Sequence, residues 1–101
     1  MKIVAVTACP TGIAHTYMAA DALIKSAHKH NVQIKVETQG AMGIENQLTS
    51  YDISQADKVL IVSGIEIEQF YRFDLKNIIR VSIEDVLLDV ENVFLIHCRK
   101  R

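Results

Sequence analysis

Apolar positions follow several different rhythms along this chain. From Lys2 to Ala8 they run almost unbroken, as Ile3-Val4-Ala5-Val6 with Thr7 set among them. That is the pattern of a strand buried on both faces. Cys9-Pro10-Thr11-Gly12 interrupts it. From about Ile13 to Lys29 the spacing becomes helical. Ala20, Leu23, Ile24 and Ala27 share one face, and Asp21, Lys25 and His28 share the other. Asp21 precedes Lys25 by one turn in the favourable order, and Lys25, Lys29 and the nearby histidines suit a helix C-terminus. Val32 to Thr38 alternates, with Val, Ile and Val set against Gln, Lys and Glu, which predicts a half-exposed strand. Gly40 and Gly43 mark a loop. Thr49 and Asp52 have the spacing of a capping box in an acidic variant, opening a short helix through Gln55. Lys58–Val62 and Asn77–Val81 read as two further strands. Ser82 then caps a last helix whose core face is Ile83, Val86, Leu87, Val90 and Phe94. Between these strands, Glu66 to Phe73 fits either one helical turn or an irregular connection.

The order β-α-β-α-β, a connection, then β-α implies parallel strands joined by right-handed crossovers. The predicted architecture is a three-layer, doubly wound α/β domain with a four-stranded parallel sheet, one domain over residues 1–101. Ligands in such folds sit beyond the carboxyl ends of the strands. That rule brings Cys9–Thr16, Glu37–Gly40 and Ser63-Gly64 to one edge.

Composition agrees with a globular chain: 50% of residues are hydrophobic and 23% charged. A net charge of -1 gives no electrostatic case for nucleic acid or an anionic membrane surface. The apolar runs fall far short of the roughly 20 residues that span a bilayer, so no direct membrane insertion is expected. The N-terminal run is too short for a secretory signal. Cys9 and Cys98 therefore read as thiols in a reducing cytoplasm. With no linker at either end, a stand-alone subunit is expected.

The informative stretch is Cys9-Pro10-Thr11-Gly12-Ile13-Ala14-His15-Thr16. It joins a buried strand to a helix whose first-turn N–H groups point back at the loop, an arrangement that binds anions. Gly12 permits close backbone approach, Pro10 fixes φ, and Thr11 and Thr16 add hydroxyls. A cysteine here is expected to be more acidic than Cys98 and to act as a nucleophile toward phosphorus. A cysteine can also be no more than a small buried hydrophobe, the reading that suits Cys98. Cys9 differs because it stands at a strand end beside loop-forming residues. His15 alone would read as an ordinary helix-start residue. His28, His30 and His97 read as surface residues, and none has zinc-site spacing with either cysteine, so no metal and no cofactor are expected. There is no C-x-x-C and no nucleotide-binding glycine loop.

On these residues the chain resembles the fructose-family IIB component of the bacterial phosphoenolpyruvate-dependent sugar phosphotransferase system. The match runs from Val4 to Ala20 through the Cys9–Thr16 loop. It continues at Val36–Gly40, Gly43–Asn46 with Leu48-Thr49, Asp52-Ile53 and Ala56-Asp57, and more faintly at Arg72-Phe73. The resemblance implies that Cys9 takes a phosphoryl group from a phosphohistidine on a IIA protein. It then passes the group to a sugar, fructose or a related one, bound in a membrane IIC permease. Pro10, Thr11, Gly12, Ile13, Ala14, His15 and Thr16 would hold the phosphate. The chain departs from the family pattern in three places. A strand-three acidic residue is missing near Gly64, Asp21 replaces a glutamate, and Val90 follows Asp89 where a proline is common. The last change implies a final helix that runs on unbroken.

Two rival functions share parts of this pattern. A low-molecular-weight tyrosine phosphatase would use the same loop position, but it grips phosphate with an arginine six residues after the cysteine. Here that residue is His15. A sugar-phosphate sensor would explain the anion site but not the thiol. Because a carrier docks two partners in turn, exposed apolar residues are expected beside the loop, with Met42 and Ile44 as candidates; ordinary loop packing accounts for them nearly as well.

Overall fold

Ile3, Val4, Ala5 and Val6 expose no surface, and the strand they form, β1 (Lys2–Ala8), takes the centre of the sheet. The computed structural model describes residues 1–9, 14–73 and 78–97. After β1 come α1 (Ala14–Lys29), β2 (Gln33–Gly40), β3 (Gly43–Glu45), α2 (Ser50–Gln55), β4 (Lys58–Val62), a 3-10 turn (Phe70–Phe73), β5 (Ile78–Val81) and α3 (Ile83–His97). The sheet order is β3-β2-β1-β4-β5. The four expected strands β2, β1, β4 and β5 pair in parallel, with Ala5 opposite Val36 and Leu60. A fifth, short strand adds to them: β3 folds back antiparallel onto the end of β2. The Gly40 and Gly43 loop is thus the tip of a hairpin, and Gly43 takes φ +90, a left-handed conformation open to glycine.

The alternation of β1 divides the core. Ile3 and Ala5 meet Ala19, Leu23 and Ala27 of α1 and Val86, Val93 and Phe94 of α3 on one face. Val4, Val6 and Ala8 meet Ile53 and Ala56 beside α2, with Ile67 and Phe73, on the other. Hence the three layers.

Local signals set the boundaries. The end of α1 is a Schellman turn: the Val32 N–H reaches the Ala27 carbonyl at 2.8 Å and the Asn31 N–H reaches that of His28 at 3.2 Å. Asn31 supplies the left-handed residue at φ 58. The Thr49/Asp52 capping box is present in both directions, at 3.0 Å and 2.9 Å. The Ser82 hydroxyl accepts from the Asp85 N–H at 3.0 Å and opens α3 as expected.

Two elements, α3 and β2, need correction. Helix α3 is not unbroken, because Asp89 leaves helical geometry at φ -160, ψ 77 and its carboxylate accepts from the Asn92 N–H, capping a second segment. That break resets the face count for the residues after Asp89. Leu87 is exposed, while Val93 joins Val86 and Phe94 in the core. Strand β2 is not half-exposed throughout, since Val36 through Gln39 are all buried. Of the two alternatives for Glu66 to Phe73, the structure takes the helical turn, at Phe70–Phe73; Asn77, expected to open the fourth strand, lies outside the described residues.

Candidate active site

The chain runs from β1 out to β2 through α1, then crosses back past β1 to β4, so β1 lies at the point where the winding changes direction. Its ladders put Ala8 beside Gln39 and Thr7 beside Val62. The sequences that follow β1, β2 and β4 therefore leave the sheet at one edge. Cys9 is the first residue past β1 and is half-buried there.

Five residues on, α1 begins, and its third residue returns to the cysteine. Thr16 is fully buried, and its hydroxyl donates to Cys9 Sγ at 3.0 Å. A helical threonine commonly turns its hydroxyl onto a carbonyl of the preceding turn; this one is directed at sulfur. A donor on sulfur stabilises thiolate over thiol. The Thr16 carbonyl in turn accepts the Thr7 hydroxyl at 3.1 Å. Ala14 and His15 are exposed on the same turn. Pro10, Thr11, Gly12 and Ile13, expected to wrap the phosphate, lie outside the described residues, as does Cys98.

The first turn of α1 carries no acidic residue, whereas α2 has Asp52 there and α3 has Glu84 and Asp85. Carboxylates in a first turn compete for the N-terminal potential that binds anions. Helix α1 leaves that potential to other anions. At the rim, Met42 is 78% exposed and Met18 55%, while Ile44 is partly buried. Ser63, at the end of β4, closes a tight turn by bonding both the N–H and the carbonyl of Ile65, each at 3.0 Å. Among the described residues, no three His, Cys, Asp or Glu side chains converge as metal ligands would.

The sequence reading missed a charged cluster on the other side of β2. Glu37 is fully buried, and the Arg72 guanidinium grips both its oxygens, at 2.8 Å and 2.9 Å. The Leu48 N–H and the Gln39 amide donate to the same carboxylate, both at 2.8 Å. Burial pushes the Glu37 carboxyl up, but these donors outweigh it and hold the group below its ordinary value. Gln39 also pairs with the backbone N–H and carbonyl of Glu68. Together these bonds fasten the segment after β4 to β2, directly under the site edge. No local signal marks the cluster, since Glu37 sits in a polar strand end, Glu37-Thr38-Gln39, and its arginine lies 35 residues downstream. Period-two alternation assigned Glu37 to solvent.

The two described arginines are both committed elsewhere. Arg72 is bound to Glu37, and the Arg80 guanidinium lies over the Phe70 ring at 4.9 Å.

Comparison with known proteins gives the same direction. The family model described as "PTS system, Lactose/Cellobiose specific IIB subunit" matches residues 4–95. The chain is 51% identical over 86 residues to the "PTS system fructose-like EIIB component 2" of Escherichia coli K12, covering 85% of this chain and 81% of that protein. It is 48% identical over 82 residues to the "PTS system fructose-specific EIIABC component" of Bacillus subtilis, covering 81% of this chain but 13% of that longer protein. Among solved structures, a predicted fructose-specific IIB from Escherichia coli superposes with a TM-score of 0.89 at 40% identity, covering 94% of this chain and 84% of the other. A domain of a fructose-specific IIABC component from Borrelia burgdorferi superposes with a TM-score of 0.86 at 44% identity, covering 93% and 89%. The chain belongs to the PTS IIB family, in its fructose-type branch.

Proposed function

We propose that residues 1–101 form a single cytoplasmic phosphocarrier domain in which Cys9 holds a phosphoryl group between two partners. The observation that carries this reading is the Thr16 hydroxyl 3.0 Å from Cys9 Sγ, at the start of a helix whose first turn has no carboxylate. A thiolate held by a donor at a helix N-terminus is a nucleophile beside an anion site.

In the first step the Cys9 thiolate attacks the phosphorus of a phosphohistidine on IIA. The S–P bond forms, the P–N bond breaks, and the imidazole departs with its electron pair and takes up a proton. In the second step a hydroxyl oxygen of the sugar held by IIC attacks the same phosphorus. The O–P bond forms, the S–P bond breaks, the thiolate is regenerated, and the hydroxyl proton is released. Each step is an in-line displacement, so the protein supplies position and charge stabilisation. N–H groups from Thr11 to Thr16 hold the equatorial oxygens, with Thr11, His15 and Thr16 side chains assisting and Pro10, Gly12, Ile13 and Ala14 shaping the loop. The sugar is fructose or a related one, in keeping with the names of the relatives. Relatives that join EIIA, EIIB and EIIC in one protein support IIA and IIC as the partners.

Hydrolysis by a tyrosine-phosphatase mechanism is the weaker reading, because the residue six after Cys9 is His15 and not arginine, and among the described residues Arg72 is bound to Glu37 and Arg80 lies over Phe70. The distinguishing experiment supplies phosphorylated IIA with and without the membrane permease and its sugar. Sugar phosphate formed only with the permease supports transfer; free phosphate released at the same rate in both reactions contradicts it.

A further inference from the structure

Strand β1 shows α1 a row of Ile3, Ala5 and Thr7. The first two are core residues. Thr7 occupies the same layer with no exposed surface. Valine has nearly the same shape and would bury there without a polar group to satisfy. The threonine hydroxyl instead donates to the Thr16 carbonyl at 3.1 Å, across the interface between strand and helix. The bond fixes the height and rotation of the first turn of α1 over the end of β1. Threonine is stiff about χ1, so once its backbone is fixed its hydroxyl has few places to go. In Thr16 that place is Cys9 Sγ, at 3.0 Å. Residues 7, 16 and 9 thus form a relay from the dry core to the sulfur.

We propose that Thr7 is a positioning residue for the thiol: its buried hydroxyl holds Thr16 where the Thr16 hydroxyl can stabilise the Cys9 thiolate. The consequence for transfer rests on the carrier reading above; the consequence for the thiolate does not. Thr7 touches neither sulfur nor phosphate and acts only through Thr16.

The test compares Thr7→Val, which keeps the shape and removes the hydroxyl, with Thr7→Ser, which keeps the hydroxyl and removes a methyl group. Iodoacetamide labelling of the whole folded chain is followed across pH, and peptide mapping separates Cys9 from Cys98. One hydrogen bond fewer behind the donor predicts that Thr7→Val lowers the neutral-pH labelling rate of Cys9 by about three- to tenfold and moves its profile to higher pH. Thr7→Ser should stay within about twofold of wild type, since its hydroxyl remains. Thermal unfolding of the same samples reads the packing loss, which should be larger for Ser than for Val. If the valine variant does not fold, Thr7→Ala against Thr7→Ser gives the same hydroxyl contrast. An unchanged Cys9 profile in Thr7→Val overturns the inference, and so does a profile displaced equally in Val and Ser, which would mark a packing effect. Either result leaves the carrier reading standing. That reading fails separately, if wild-type protein with this same thiolate never takes up phosphate from the donor.

Discussion

Arg72 holds both carboxylate oxygens of Glu37, and Glu37 has no surface of its own exposed. The pair joins β2 to the segment after β4 by a fork that only arginine can make. Removing one partner of a buried pair leaves a charge without compensation. Arg72→Ala should therefore lower stability by about 3–5 kcal/mol, and Arg72→Lys should recover only part of it. The deficit should be largest near neutral pH and shrink in acid, where the orphaned carboxyl takes a proton. A urea-denaturation series for both variants checks this. A lysine variant as stable as wild type would show that the fork contributes nothing beyond its charge.

Asp52 closes the cap of α2 and also meets the Lys35 ammonium at 2.7 Å. The Lys35 hydrogen bond and the Thr49 N–H bring its carboxyl from 3.8 down to about 2, against the opposing effect of burial. A carboxyl depressed in the folded state stabilises above its ordinary value, and that contribution fades as pH falls through the ordinary value toward the folded one. The stability gap between wild type and Asp52→Asn should thus be full near neutrality and close as pH drops from 3.8 toward about 2. Urea midpoints taken in steps down to acid pH measure it. A gap that stays constant would deny Asp52 this role.

Thr16→Val keeps the buried shape and deletes the donor on sulfur. A hydrogen bond to a charged group is worth about 1.5–3 kcal/mol, so phosphoryl transfer should slow by about ten- to a hundredfold while the fold survives. Stopped-flow transfer from phosphorylated IIA reads the rate. A wild-type rate would mean that backbone N–H groups suffice.

Much of the fold was legible because the strands and helices carry unmixed patterns. The apolar run at Lys2–Ala8 and the capping residues Thr49 and Ser82 each declare themselves locally. What was hidden depends on distant partners. Glu37 looks solvent-facing until Arg72 arrives to cover it. β3 is only three residues long, too short to declare a strand before it pairs with β2. The break in α3 is made by Asp89, which can cap a new segment as readily as it continues a helix, and no helical count registers that choice. The Thr16 hydroxyl could be read as a helper from its place in the loop. Its support from Thr7 could not, because a buried threonine in a strand reads as packing.

In the carrier reading Cys9 itself holds the phosphoryl group. Incubating the chain with phosphorylated IIA and then measuring intact mass, with fragmentation to locate the adduct, tests it most directly. One phosphoryl group is expected on Cys9, lost when the permease and sugar are added, and none on Cys9→Ser, whose hydroxyl is scarcely ionised near neutral pH. An adduct found on a histidine, or an adduct formed equally well on Cys9→Ser, would contradict it.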